Sequence, residues 1–117
     1  MKKHYLTTAL PAIAALLSAC SSVPTNTVLL DQTRSEYIAA QSNPKVATYA
    51  PIEMKEASKV YAQANAASDH GDSPEKVDKL AYLAKQKIML AQEIAKQKST
   101  DADFATTSKD RNNMHTQ

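Results

Sequence analysis

Two groups of side chains in this 117-residue chain are of types that could do chemistry. The first is Cys20, the only cysteine, in the stretch Leu16-Leu17-Ser18-Ala19-Cys20-Ser21-Ser22. A lone thiol has no disulfide partner within the chain and cannot build the usual cysteine zinc clusters. As a nucleophile it would need a base, and no His or acidic residue stands near it in sequence. The second group is Asp69-His70-Gly71-Asp72. Its carboxylates and imidazole are metal-binding and acid–base types, but a metal site needs several converging ligands with supporting partners. Residues sharing one tight turn fit a solvated turn whose Asp side chains assist capping. No Gly-rich phosphate loop, hydrolase elbow or paired-histidine zinc motif occurs. The expectation is a chain without catalytic residues, metal ligands or a dissociable cofactor.

The surroundings of Cys20 say what the thiol is for. Lys2 and Lys3 precede the uncharged run from Tyr5 to Leu17, and the small residues Ser18 and Ala19 follow. That is the anatomy of a secretory signal peptide. The run is shorter than the roughly 20 apolar residues a spanning helix needs, and Pro11 interrupts it. Leu17-Ser18-Ala19-Cys20 resembles the lipobox of bacterial lipoproteins. The resemblance implies a signal peptide over residues 1–19, cleavage before Cys20, a diacylglycerol on its thiol with acylation of the new amine, and no cofactor besides this covalent lipid. Two or more acyl chains anchor a protein stably where one does not. In that family an Asp after the cysteine favours the inner membrane; here Ser21 follows, which implies an outer-membrane anchor facing the periplasm.

Composition narrows the remainder. Without Lys2 and Lys3, 12 basic residues face 12 acidic ones, so the mature chain is formally neutral. No basic stripe remains for phosphates, and nucleic acid is not an expected partner. A single Gly, no Trp and abundant Ala favour helices over strands. After a polar tether over residues 20–27, a helix is predicted over Val28–Gln41, capped by Asn26 or Thr27 and stopped at Ser42-Asn43-Pro44. A second starts at Pro51 with Met54, Ala57, Tyr61, Ala64 and Ser68 on one face. Gly71 ends it, and Ser73-Pro74-Glu75 caps a third helix to about Lys98. Val77, Ala81, Ala84, Ile88, Ala91 and Ala95 form its stripe, with Leu80, Leu83, Leu90 and Ile94 widening the apolar face. The stripe continues weakly through Ala102 and Ala105, and residues 106–117 read as a flexible polar tail.

These elements predict an all-α fold over residues 28–105, an antiparallel helical hairpin or three-helix arrangement with coiled-coil-like packing. Tyr49-Ala50-Pro51, Ala57, Ala64, Ala67, the turn, then Leu80-Ala81, Ala84, Ala91 and Ala95 are similar to an all-α bacterial envelope domain of unknown function. That domain occurs alone or ahead of an OmpA-like peptidoglycan-binding domain. No OmpA-like domain follows here, and the chain ends in Gln117 rather than the lysine used for covalent murein attachment. Neither route to peptidoglycan is expected.

The functional expectation is a lipid-anchored structural or interaction module of the envelope, joined to a protein partner or to copies of itself. Met54, Ala57, Tyr61, Ala64, Leu80, Ala84, Ile88 and Ala91 are its core or partner-facing stripe. The alternative is a small-ligand module with a cavity lined by Met54, Tyr61, Ile88 and Leu90.

Overall fold

The structure is a computed structural model and describes residues 22–116. Cys20 and the predicted signal peptide lie outside the described residues. Four helices follow in order: α1 (Val28–Gln41), α2 (Pro44–Tyr49), α3 (Pro51–Asp69) and α4 (Pro74–His115). The fold of the described residues is all-α, with no strand among them.

Three of the four helices start where a side chain can satisfy a free backbone donor. Thr27 accepts from the Leu30 amide at 3.1 Å, Asn43 from Lys45 at 3.0 Å, and Ser73 from Lys76 at 3.3 Å. Prolines occupy the first position of α2, α3 and α4, where a missing N–H costs nothing. Helix α3 lacks a side-chain cap. Ala50 serves instead as the shared corner, donating to the Val46 carbonyl at 2.9 Å and accepting from the Met54 amide at 3.0 Å.

The short α2 was not among the predicted elements. At six residues it is too brief for an apolar period to register. It continues the course of α1, and its Val46 is buried.

Three small clusters form the core, stacked along α4. Nearest the α3–α4 turn are Leu30, Ala64, Ala67, Val77 and Ala81. Next come Ala40, Ala57 and Ile88, then Val46, Ala50, Ala91 and Ala95. The order fixes direction: α1 and α2 run alongside α4 in the same sense, and α3 returns antiparallel to both. Alanines on the facing stripes let helix axes approach toward the short end of the usual 8–10 Å. Tyr37 and Tyr61 stack at 4.3 Å between α1 and α3, and the Tyr37 hydroxyl is 2.9 Å from Ser58 Oγ.

One polar group ties α1 into this core. Thr33 is fully buried, and its hydroxyl is shared between the Leu29 carbonyl at 2.8 Å and the Ala81 carbonyl of α4 at 3.2 Å. Replacing Thr33 by Val keeps the shape and removes the hydroxyl. The expected loss is about 1 kcal/mol in urea unfolding, the net worth of one ordinary hydrogen bond. An unchanged midpoint would mean the bridge adds nothing.

Helix α4 outruns its partners. Ser99 is its last buried residue, yet the helix continues to His115 with side chains exposed apart from half-buried Ala102. Residues 106–116, expected from composition to be a flexible tail, are helical as far as His115. Extending a formed helix avoids the nucleation cost and gains one hydrogen bond per residue fixed.

Candidate interaction surface

The predicted stripe divides cleanly when placed in the fold. Ala57, Ala64, Ala84, Ile88 and Ala91 are fully buried between the helices. Met54, Tyr61 and Leu80 are half-buried and pack at the edges of the same core. All eight residues therefore serve intramolecular packing. The four side chains expected to line a ligand cavity do not converge. Ile88 is inside the core, while Leu90 is 50% exposed on the opposite side of α4. A groove of about 440 Å³ exists elsewhere, between Ala40, Val46, Pro51 and Met54, without a buried polar group aimed into it.

Val28, Ile38 and Ile52 are exposed singly on α1 and α3, and a group of exposed apolar side chains shares the outward side of α4. Tyr82, Leu83, Met89 and Leu90 are each about half exposed. Seven residues advance an α-helix by almost two whole turns, so Leu83 and Leu90 share a face. Lys79, Gln86 and Glu93 keep the same seven-residue step along that face and are also exposed. It points away from the core stripe of Val77, Ala81, Ala84, Ile88, Ala91 and Ala95. Sequence reading had joined Leu83 and Leu90 to the core-facing side. Helical phase corrects this, since Leu83 and Leu90 sit next to neither Ala81 nor Ile88 on the helix surface. Phe104, 69% exposed, continues the face beyond the bundle.

The turn between α3 and α4 is built as a helix terminator. Gly71 adopts φ 70°, the left-handed conformation. Its amide donates to the Ser68 carbonyl at 2.9 Å, and the Asp72 amide donates to the Ala67 carbonyl at 3.0 Å. This pair of bonds is the Schellman arrangement. Asp72 also meets Lys76 Nζ at 2.8 Å. The backbone of this turn thus does the capping of α3, and Ser73 that of α4. The Asp69 and Asp72 carboxylates, expected to assist, make no capping bond among the described residues. No group of three or more His, Cys, Asp or Glu among the described residues could hold a metal ion.

Against this turn lies the segment expected to be a free tether. The Thr25 amide donates to the Ser68 carbonyl at 2.8 Å, and Ser68 Oγ donates back to the Thr25 carbonyl at 2.8 Å. Thr25 Oγ1 donates to the Asp72 carbonyl at 2.6 Å, and Ser22 Oγ to the Asp69 carbonyl at 3.3 Å. Residues 22–27 form a bonded strap. Polar residues and Pro24 fit a tether and a strap equally well, because the strap's bonds are mostly to backbone atoms far along the chain.

Ion pairs are sparse and mostly superficial. Glu36 of α1 reaches Lys85 of α4 at 3.2 Å, the one pair among the described residues that joins different helices. The Lys59 ammonium, 3.0 Å from Glu56, holds that exposed carboxyl below its ordinary range. No described helix is long and apolar enough to cross a membrane.

A helical hairpin braced by α1 and α2, with an exposed apolar face along α4, is the class of protein these features define. The chain belongs to DUF4398, a family of domains of unknown function, matched over residues 28–106. The match opens on the first residue of α1 and covers all of the packed bundle. No curated protein and no solved structure gives a significant match.

Proposed function

We propose that this protein is a lipid-anchored periplasmic component of the bacterial outer membrane that acts as a non-catalytic interaction module. The observation that carries the reading is the outward face of α4. The core closes without Tyr82, Leu83, Met89 and Leu90, so this face is not needed for packing among the described residues. Contiguous exposed apolar surface rimmed by polar residues marks protein interaction sites. The anchor rests on the sequence around Cys20, where a basic start, an apolar run and Leu17-Ser18-Ala19-Cys20 agree.

The test is the intact mass of the full chain extracted from membranes, beside Cys20→Ala. The expected product begins at Cys20 and carries added acyl mass. The variant is expected to lose that mass and to leave the membrane fraction almost completely, because the acyl chains supply the membrane affinity. An unmodified chain with unchanged fractionation would overturn the anchor.

A further inference from the structure

We infer that the outward face of α4 pairs with the same face of a second copy, antiparallel, about a two-fold axis through Gln86. The inference rests on the interaction-module reading and names its partner. Its basis is a symmetry in the exposed residues themselves. Lys79 lies seven positions before Gln86 and Glu93 seven after. Tyr82 and Leu83 stand four and three before it, Met89 and Leu90 three and four after. All seven are exposed and lie on one face of α4. Turning a second helix end for end about Gln86 keeps each residue on its own side of the seam, so Tyr82 meets the other copy's Met89 and Leu83 meets its Leu90. Each Lys79 then meets the other copy's Glu93.

The charges favour this arrangement over the alternatives. Neither Lys79 nor Glu93 takes part in an ion pair among the described residues. A parallel pair in register would set lysine against lysine and glutamate against glutamate, which is repulsive. At the axis, the Gln86 amide carries both donors and an acceptor, so it can bond to its own copy. A contact that is its own complement is what a closed two-fold dimer requires. A partner of different sequence would demand no such symmetry. The contact is small, and confinement of anchored copies to one surface would raise their effective concentration.

The experiment is mild oxidation of the full chain in its membrane, with single cysteines placed at Gln86, Leu83, Leu90 and Glu75. The parent chain sets the background from Cys20. Gln86→Cys, on the axis, is expected to form a self-linked dimer. Leu83→Cys and Leu90→Cys are expected to link strongly only when the two variants are co-expressed, and Glu75→Cys is expected to stay monomeric. Lys79→Glu is expected to lower the Gln86→Cys dimer yield about five- to tenfold, and adding Glu93→Lys to restore it. Strong self-linking of Leu83→Cys alone would show a parallel pair and overturn the inference. Capture of Gln86→Cys on a different protein would overturn it while leaving the interaction-module reading intact. No linkage at any of the positions would overturn both.

Discussion

Replacing Leu30 by alanine is expected to destabilise the fold by about 3 kcal/mol, within the range for a buried leucine that leaves a cavity. Leu30 is fully buried and is the largest of the wholly enclosed side chains, ahead of Ile88, Val46 and Val77. Most of its buried neighbours are alanines, Ala64, Ala67 and Ala81, with Val77. Alanines are too short to fill the space that Leu30 would vacate, and backbones already close together have little room to collapse further. The loss would be a large share of a total that for domains is typically about 5–15 kcal/mol. Because Leu30 joins α1 to both arms of the hairpin, its loss is expected to weaken the whole bundle. Urea unfolding should show a lower midpoint with an unchanged slope. A change below about 0.5 kcal/mol would mean that α1 is dispensable to the core.

The second large effect is expected at Gly71. Alanine there must hold φ 70°, a left-handed conformation that costs an L-residue about 1–2 kcal/mol. Its Cβ would also stand 2.8 Å from the Val23 carbonyl oxygen. That oxygen is backbone, so the strap has to move. Shifting it disturbs the bonds of Thr25 to Ser68 and Asp72, bringing the expected loss to about 2–3 kcal/mol. Hydrogen exchange separates the two contributions. The Thr25 amide should lose protection in Gly71→Ala while the amides of mid-α4 retain most of theirs. Unchanged protection at Thr25 would show that the strap tolerates the methyl group.

Much of this architecture can be read from short local signals. Asn26-Thr27, Ser73-Pro74 and Gly71 sit at helix ends because capping needs only a few neighbouring residues. Residues 44–49 follow the same capping rule, with Asn43 and Pro44 repeating the Ser73-Pro74 pattern, yet six residues offer no apolar period to reinforce it. The core side of α4 was evident from Val77 to Ala95. The outward face was not, because Leu83 and Leu90 are as apolar as core residues and only helical phase separates them. The strap was beyond sequence reading for a different reason. Its hydrogen bonds join residues 43 and 47 positions apart, and the acceptors are largely backbone carbonyls that every residue type provides. The helix past Ser99 likewise depends on continuation from a folded neighbour rather than on its own polar composition.

The bonded strap also decides how an attached lipid would handle the molecule. Cys20 is two peptide units from Ser22, a reach of about 7 Å, and Ser22 is tied to the hairpin turn. A lipid on Cys20 would therefore grip the body by one fixed corner instead of by a swivelling leash. In an antiparallel pair centred on Gln86, the two hairpin turns would stand about 36 Å apart, given a rise of 1.5 Å per residue. The pair would rest on two separated feet and lie along the bilayer. Its footing would resist tilting of the long axis away from the membrane plane, and the free ends of α4 would reach outward on either side, parallel to the surface.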